Sequence, residues 1–116
     1  MNYAPHFAVV DVETTGGKPE YARIIEIGMV LVDDWKITQK FDSLVKVPVE
    51  LSPFIQNLTG IPPKMLCNAP EFDEIAPQID AMLEGRIFVA HNVASDYGAV
   101  RAEMKRSGLD FSPEKL

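Results

Sequence analysis

The sequence predicts one α/β (α+β) domain, and three observations carry that expectation. The chain has 116 residues, the size of a single domain. Its first third holds short apolar runs rich in β-branched residues and separated by turn residues, the signature of successive strands. Later, apolar residues recur three and four apart, with one more strand-like run between two such stretches. The order is strand–strand–strand–helix–strand–helix.

Each element has its own signal. Phe7 to Val12 (FAVVDV) reads as a buried strand. Thr14 to Pro19 (TTGGKP) is a turn, marked by Gly16, Gly17 and Pro19. Arg23 to Val32 (RIIEIGMVLV) is a second strand, apolar on both faces except at Glu26. Asp33 and Asp34 make a tight connection to a weaker third strand, Lys36 to Val47, whose apolar points are Ile37, Phe41 and Leu44–Val45. Three strands with short links predict an antiparallel meander. Pro48 to Pro70 is irregular and proline-rich, with one or two helical turns over Pro53 to Leu58. Phe72, Ile75, Ala76, Ile79, Met82 and Leu83 have helical spacing. Pro77 inside that pattern predicts a kink or marks where the regular part begins, and Gly85 ends the helix. Arg86 to Ala90 (RIFVA) is a fourth strand, placed to pair in parallel with an earlier one. Asp96 opens a second helix with Tyr97, Val100 and Met104 on one side and Gly108 as its stop.

The bulk composition narrows the function classes. Apolar residues make up 47% and charged residues 24%, a globular balance. No apolar run approaches the ~20 residues that cross a bilayer, so no membrane role is expected. The N-terminus has no basic stretch before its apolar segment, which argues against a secretory signal. Cys67 is the only cysteine. It leaves no disulfide framework or cysteine metal cluster within the chain and fits a reducing cytoplasm. The net charge is −6, whereas a protein that holds nucleic acid through its phosphates alone is usually basic. Either nucleic acid is not the partner, or it is gripped locally with metal ions supplying positive charge.

Three acids suit metal chemistry. Asp11 and Glu13 alternate on one strand, so both side chains share a face, about 6.5 Å apart at the backbone. Two carboxylates so placed repel unless a hard divalent cation neutralises them. Asp96 offers a third, just beyond the fourth strand. If the first and fourth strands are neighbours, all three converge, and two Mg²⁺ ions there activate a water and stabilise the leaving oxygen of a phosphodiester. Plainer readings stand beside this one: acid–x–acid pairs at strand ends are commonly just solvated, and an aspartate at a helix start is commonly a cap. Glu26 reads as a paired or edge-facing structural residue.

Four segments in order add a resemblance. VVDVETTG at Val9 to Gly16 and VAHNVASD at Val89 to Asp96 resemble the first and second motifs of the DEDD 3′–5′ exonuclease family, which includes the proofreading epsilon subunit of bacterial DNA polymerase III. RIIEIG at Arg23 to Gly28 and LTGI at Leu58 to Ile61 match between them. The resemblance implies an RNase H-like fold, hydrolysis from a nucleic-acid 3′ end and two bound ions, Mg²⁺ or Mn²⁺. It assigns Asp11, Glu13 and Asp96 to the metals and to catalysis. It places Thr14 against the terminal nucleotide, Leu58 as an apolar wedge and Thr59 against the terminal base, and Asn92 in support of the second motif. Single-stranded DNA is the favoured partner, in proofreading or repair, with a DNA polymerase subunit as a candidate second partner.

The pattern also departs from the family. A third motif, carrying a final aspartate and a general base, usually histidine, is expected downstream, and the chain reaches Leu116 without it. Residues 1–116 are therefore expected to be an exonuclease domain truncated before that motif, inactive or weakly active alone, with an open sheet edge that invites dimers. His6 and His91 lie in no such motif. An RNA-trimming exonuclease and a non-catalytic nucleic-acid- or polymerase-binding module remain the alternatives.

Overall fold

The computed structural model describes residues 4–111. Strand β1 (Phe7–Thr14), β2 (Ile24–Asp33) and β3 (Lys36–Leu44) come first. Helix α1 (Pro53–Thr59), a 3-10 turn (Pro63–Leu66), helix α2 (Phe72–Leu83), strand β4 (Ile87–Val89) and helix α3 (Val93–Arg106) follow. The four strands form one sheet in the order β3-β2-β1-β4. β1–β2 and β2–β3 pair antiparallel, while β4 runs parallel to β1, with Phe7, Ala8 and Val9 opposite Ile87, Phe88 and Val89. This is the expected meander followed by helix–strand–helix.

Local chemistry sets the boundaries. Asp33 pairs with Lys36, so Asp34 and Trp35 alone turn the β2–β3 hairpin. Both have positive φ, 51° and 63°, as a two-residue type I′ turn demands. The third strand stops at Leu44, three residues earlier than expected. There Val45 leaves the ladder to donate to the Ile25 carbonyl, and Lys46 donates to that of Pro70. Ser52 caps α1, its side chain accepting from the Ile55 N–H at 3.2 Å. Pro77 lies inside α2 rather than at its start. It is exposed, so the carbonyl that loses a donor to it, on exposed Asp73, is open to water.

One sheet face is the floor of the main core. Ala8, Val10, Ile27, Met29, Leu31 and Phe88 meet α2 through Phe72, Ala76 and Ile79 and α3 through Val100 and Met104. A second cluster, Ile25, Leu51, Ile55, Ile61 and Leu66, seats α1 and the 3-10 turn. The short β4 is fixed at its start. Arg86 makes a fork to Asp33 at 2.9 and 3.2 Å and also reaches the Phe7 carbonyl. His6 and Thr38 bond the same carboxylate. Arg86, Thr38 and His6 together hold the Asp33 carboxyl well below the usual range. The knot joins β4 to the outer ends of β1 and β2 and so sets the parallel register.

Ile79 is fully buried between α2 and the sheet. Ile79→Ala is expected to cost ~2–5 kcal/mol, read as a lowered urea midpoint. An unchanged midpoint would mean that α2 does not close the core.

Candidate active site

Alternation along β1 sorts its residues. Ala8 and Val10 are buried in the core, and Val12 packs against it, while Val9, Asp11 and Glu13 belong to the opposite face. Asp11 is exposed and Glu13 half-buried. The strand ends in a register shift between Glu13 and Thr14, and Thr15 then exchanges bonds with Arg23 across the mouth of the turn.

Asp96 arrives from the other side. Alternate residues of a strand aim their amides at the same neighbour. His6 offers its carbonyl to Ile87 of β4, so Val12, of the same parity, aims its N–H toward β4. But β4 has ended at the level of Val9. The Asp96 side chain fills the gap and accepts the Val12 N–H at 3.3 Å. Helix α3 begins at Val93, three residues before the expected start, which places Asp96 inside its first turn, 8% exposed. Asn92 is the N-cap, but its side chain makes no capping bond. The backbone carbonyl of Asn92 instead accepts the amides of Ser95 and Asp96.

The electrostatics follow from this convergence. Burial raises the Glu13 pKa, and the charges of Asp11, Glu26 and Asp96 raise it further. Burial also raises that of Asp96, opposed by the Val12 N–H and reinforced by Asp11. Glu26 stands directly opposite Glu13 in the β1–β2 register. Glu26, expected as a paired or edge-facing structural residue, thus stands beside the other acids: only the hairpin register brings it there, and the sequence does not state that register. Oxygen donors and mutual repulsion suit a hard divalent cation, and Asp11, Glu13 and Asp96 would hold it. Among the described residues, no group of three or more His, Cys, Asp or Glu side chains is drawn together as a metal cluster.

The remaining expected residues surround this end of the sheet. The Thr14 hydroxyl accepts the Gly16 N–H at 3.0 Å, so it shapes the turn. Gly16, with φ 88°, lies so near α1 that a Cβ there would stand 3.1 Å from Ile55 Cδ1. The turn after Glu13 therefore rests on α1. On α1, Leu58 is 67% exposed, which rules out a core role. The Thr59 hydroxyl donates to the Ile55 carbonyl and accepts the Ile61 N–H. His91 is exposed and lowers the Asp96 pKa slightly by its charge.

A supporting network was not foreseen. Glu103, two turns after Asp96 on α3 and 1% exposed, accepts the Ile24 N–H at 3.0 Å and pairs with Arg23 and Arg106. Arg106 also donates to the Glu20 and Ala22 carbonyls. The helix that carries Asp96 is thus tied to the segment that follows Glu13. An acid on the apolar side of α3, at the spacing of Val100 and Met104, was the available signal.

The mixed sheet, with β4 parallel to β1 and acids gathered where the two separate, has the RNase H-like fold. The chain belongs to the RNase_T exonuclease family, whose model matches residues 8–114. It is similar to the 3′-5′ exonuclease DinG of Staphylococcus saprophyticus, 44% identical over 97% of this chain and 12% of that protein. The DinG of Staphylococcus haemolyticus is 42% identical over 95% of this chain and 12% of its own length. The chain thus spans about an eighth of these relatives. Its fold matches E. coli Exonuclease I in complex with a dA16 oligonucleotide, with TM-score 0.84 and 16% identity, over 97% of this chain and 28% of that one. Exonuclease I with the inhibitor BCBP gives TM-score 0.85 and 17% identity, over 99% and 28%. These relatives bear the name DinG, so the family expected from the motifs stands and its epsilon-like detail remains an expectation. No helix among the described residues is long and apolar enough to cross a membrane.

A raised carboxylate pKa means that the folded chain holds its proton more tightly than the unfolded chain. Stability then falls as pH rises through the window between the two values. Glu13→Gln is therefore expected to raise the melting temperature of the metal-free chain at pH 7 and to have no effect near pH 3, where both forms are neutral. Equal melting curves at pH 7 would show that Glu13 bears no unfavourable charge.

Proposed function

We propose that this chain is the metal-holding part of a 3′–5′ exonuclease domain that hydrolyses terminal phosphodiesters of single-stranded DNA. The observation that carries the reading is the meeting of Asp11 and Glu13 from β1 with Asp96 from α3, the last through the Val12 N–H. Family membership and the names of the relatives support it. The choice of DNA is supported by the oligonucleotide bound in Exonuclease I, a neighbour of the same fold.

Asp11, Glu13 and Asp96 would hold Mg²⁺ or Mn²⁺, which when bound supply an activated water and charge stabilisation at the leaving oxygen. The residues contribute position. Asp11 and Glu13 present oxygens from one rigid strand, and Asp96 is oriented by a backbone amide. Thr14 shapes the turn over which the terminal nucleotide lies. Leu58 offers an exposed apolar surface for the terminal base, with Thr59 behind it, and Asn92 keeps its side chain free of capping beside Asp96. The family's third motif, with its final aspartate and general base, is proposed to lie in sequence following Leu116. A positioned base contributes ~10²–10⁴-fold, so the 116-residue chain is expected to be a weak nuclease. The edge of β4, with no strand beyond it among the described residues, is a proposed pairing surface for a second chain. A DNA polymerase subunit remains a proposed partner.

A 5′-labelled single strand, incubated with Mn²⁺ and either this chain or a form extended through the third motif, tests the reading. The extended form is expected to shorten the strand from its 3′ end at least ~10²-fold faster, and Glu13→Ala should abolish trimming. Trimming that survives Glu13→Ala, or an inert extended form, would overturn it.

A further inference from the structure

Glu13 is the last residue of β1 in regular register with β2, and a bulge lies just beyond it. Glu13 stands opposite Glu26 and Thr14 opposite Ile24, so Ile25 has no partner on β1. Burial records the same break. Unbroken alternation from Ile27 would put Ile25 in the main core and Ile24 beside Glu26. Instead Ile24 packs in the main core and Ile25 in the cluster around α1, both fully buried. A bulge bends its strand and re-aims the side chains next to it. Here those side chains are Glu13 on β1 and Glu26 on β2.

A bulge also disrupts the ladder, and the backbone groups at it need other partners. The Ile24 N–H is met by Glu103 Oε2 at 3.0 Å. Arg23, the residue before it, brings its Nε to the same carboxylate. Arg106 donates to the other carboxylate oxygen at 3.0 Å and to the Ala22 carbonyl at 3.1 Å. Glu103 thus fixes the chain where the bulge begins. It lies two turns after Asp96 on α3, about 10.5 Å along the axis. Asp96 accepts the Val12 N–H of β1. One helix therefore grips β1 just before Glu13 and β2 just past the bulge. A buried, ion-paired carboxylate contributes little net stability beside an apolar side chain of the same volume. What the apolar side chain lacks is an acceptor aimed at the Ile24 N–H.

We infer that Glu103 is a positioning residue for the metal site: it holds the bulge, and the bulge sets the Glu13 carboxylate relative to Asp11 and Asp96. It is 1% exposed and acts through the backbone of β2, not by contact with a cation or a substrate. The inference rests on the proposed metal-holding role of Asp11, Glu13 and Asp96.

Titration calorimetry with Mn²⁺ on the 116-residue chain tests it. Glu103→Met keeps the volume but offers no acceptor, and it is expected to weaken Mn²⁺ binding about tenfold. Glu103→Gln keeps an oxygen for the Ile24 N–H and is expected to retain most of the affinity. Ile79→Val, a core substitution on α2, should lower the melting temperature and leave the affinity unchanged, which separates positioning from loss of stability. Glu103→Asp keeps the charge but draws its oxygens back from the Ile24 N–H. It is expected to weaken binding too, and it decides the matter if Glu103→Met does not fold. Wild-type affinity in a folded Glu103→Met chain, or in Glu103→Asp, overturns the inference and leaves the carboxylate site standing. An equal loss in Ile79→Val does the same. So does a Glu103→Gln chain as weak as Glu103→Met, since charge and not the amide contact would then matter. A wild-type chain that binds no Mn²⁺, or binds it equally after Asp11→Ala with Glu13→Ala, overturns the carboxylate reading, and the inference falls with it.

Discussion

Val12 directs its N–H to the side of β1 that β4 has already vacated, and the Asp96 carboxylate is the group that meets it. A buried amide left without a partner costs ~1–3 kcal/mol, so the end of the parallel ladder creates a demand for an acceptor at that level. An aspartate in the first turn of α3 meets it and also faces the partly positive end of its own helix. The third carboxylate is thereby fixed relative to the first two. Arg86 and Asp33 set where β4 starts, its three-residue length sets where it stops, and the gap that remains is the position of the site.

This arrangement gathers negative charge where little positive charge offsets it. Glu13 is the clearest case, with burial, Asp11, Glu26 and Asp96 all acting against its ionisation. A site that destabilises its own charged form is one that a divalent cation or its complexes can relieve. The stabilising interactions lie elsewhere. Glu103, satisfied by an amide and two arginines, binds the far half of α3 to the segment before β2. The core beneath the sheet supplies the apolar burial. Repulsive and cohesive charge clusters thus sit at opposite ends of the same helix, so that its N-terminal end tolerates strain that its C-terminal end holds in place.

Much of this was legible in the sequence, for identifiable reasons. Period-two alternation placed Asp11 and Glu13 on one face, since that depends only on the strand itself. The apolar spacing of Phe72 to Leu83 gave α2, and Gly85 its end. Glu26 was not joined to the acids from the sequence because its neighbourhood with Glu13 depends on the pairing register of β1 and β2 and on the bulge after Glu13. Glu103 was passed over because its partners, Ile24 and Arg23, are some 80 residues away. The start of α3 was read too late because Asp96 looks like a cap, and in the structure its carboxylate is used by β1. Leu58 is exposed and so lies outside the core, while its role as a wedge remains a proposal.

The central claim is that carboxylates from β1 and α3 share one cation. Paramagnetic broadening of backbone amide signals by substoichiometric Mn²⁺ tests it most directly, because it maps the ion without requiring turnover. The account predicts broadening centred on Asp11 to Thr14, Glu26 and Asn92 to Tyr97, all of it removed by Asp11→Ala with Glu13→Ala. Broadening centred instead on the exposed acids at the start of α2, Glu71, Asp73 and Glu74, and unaffected by that double substitution, would contradict it.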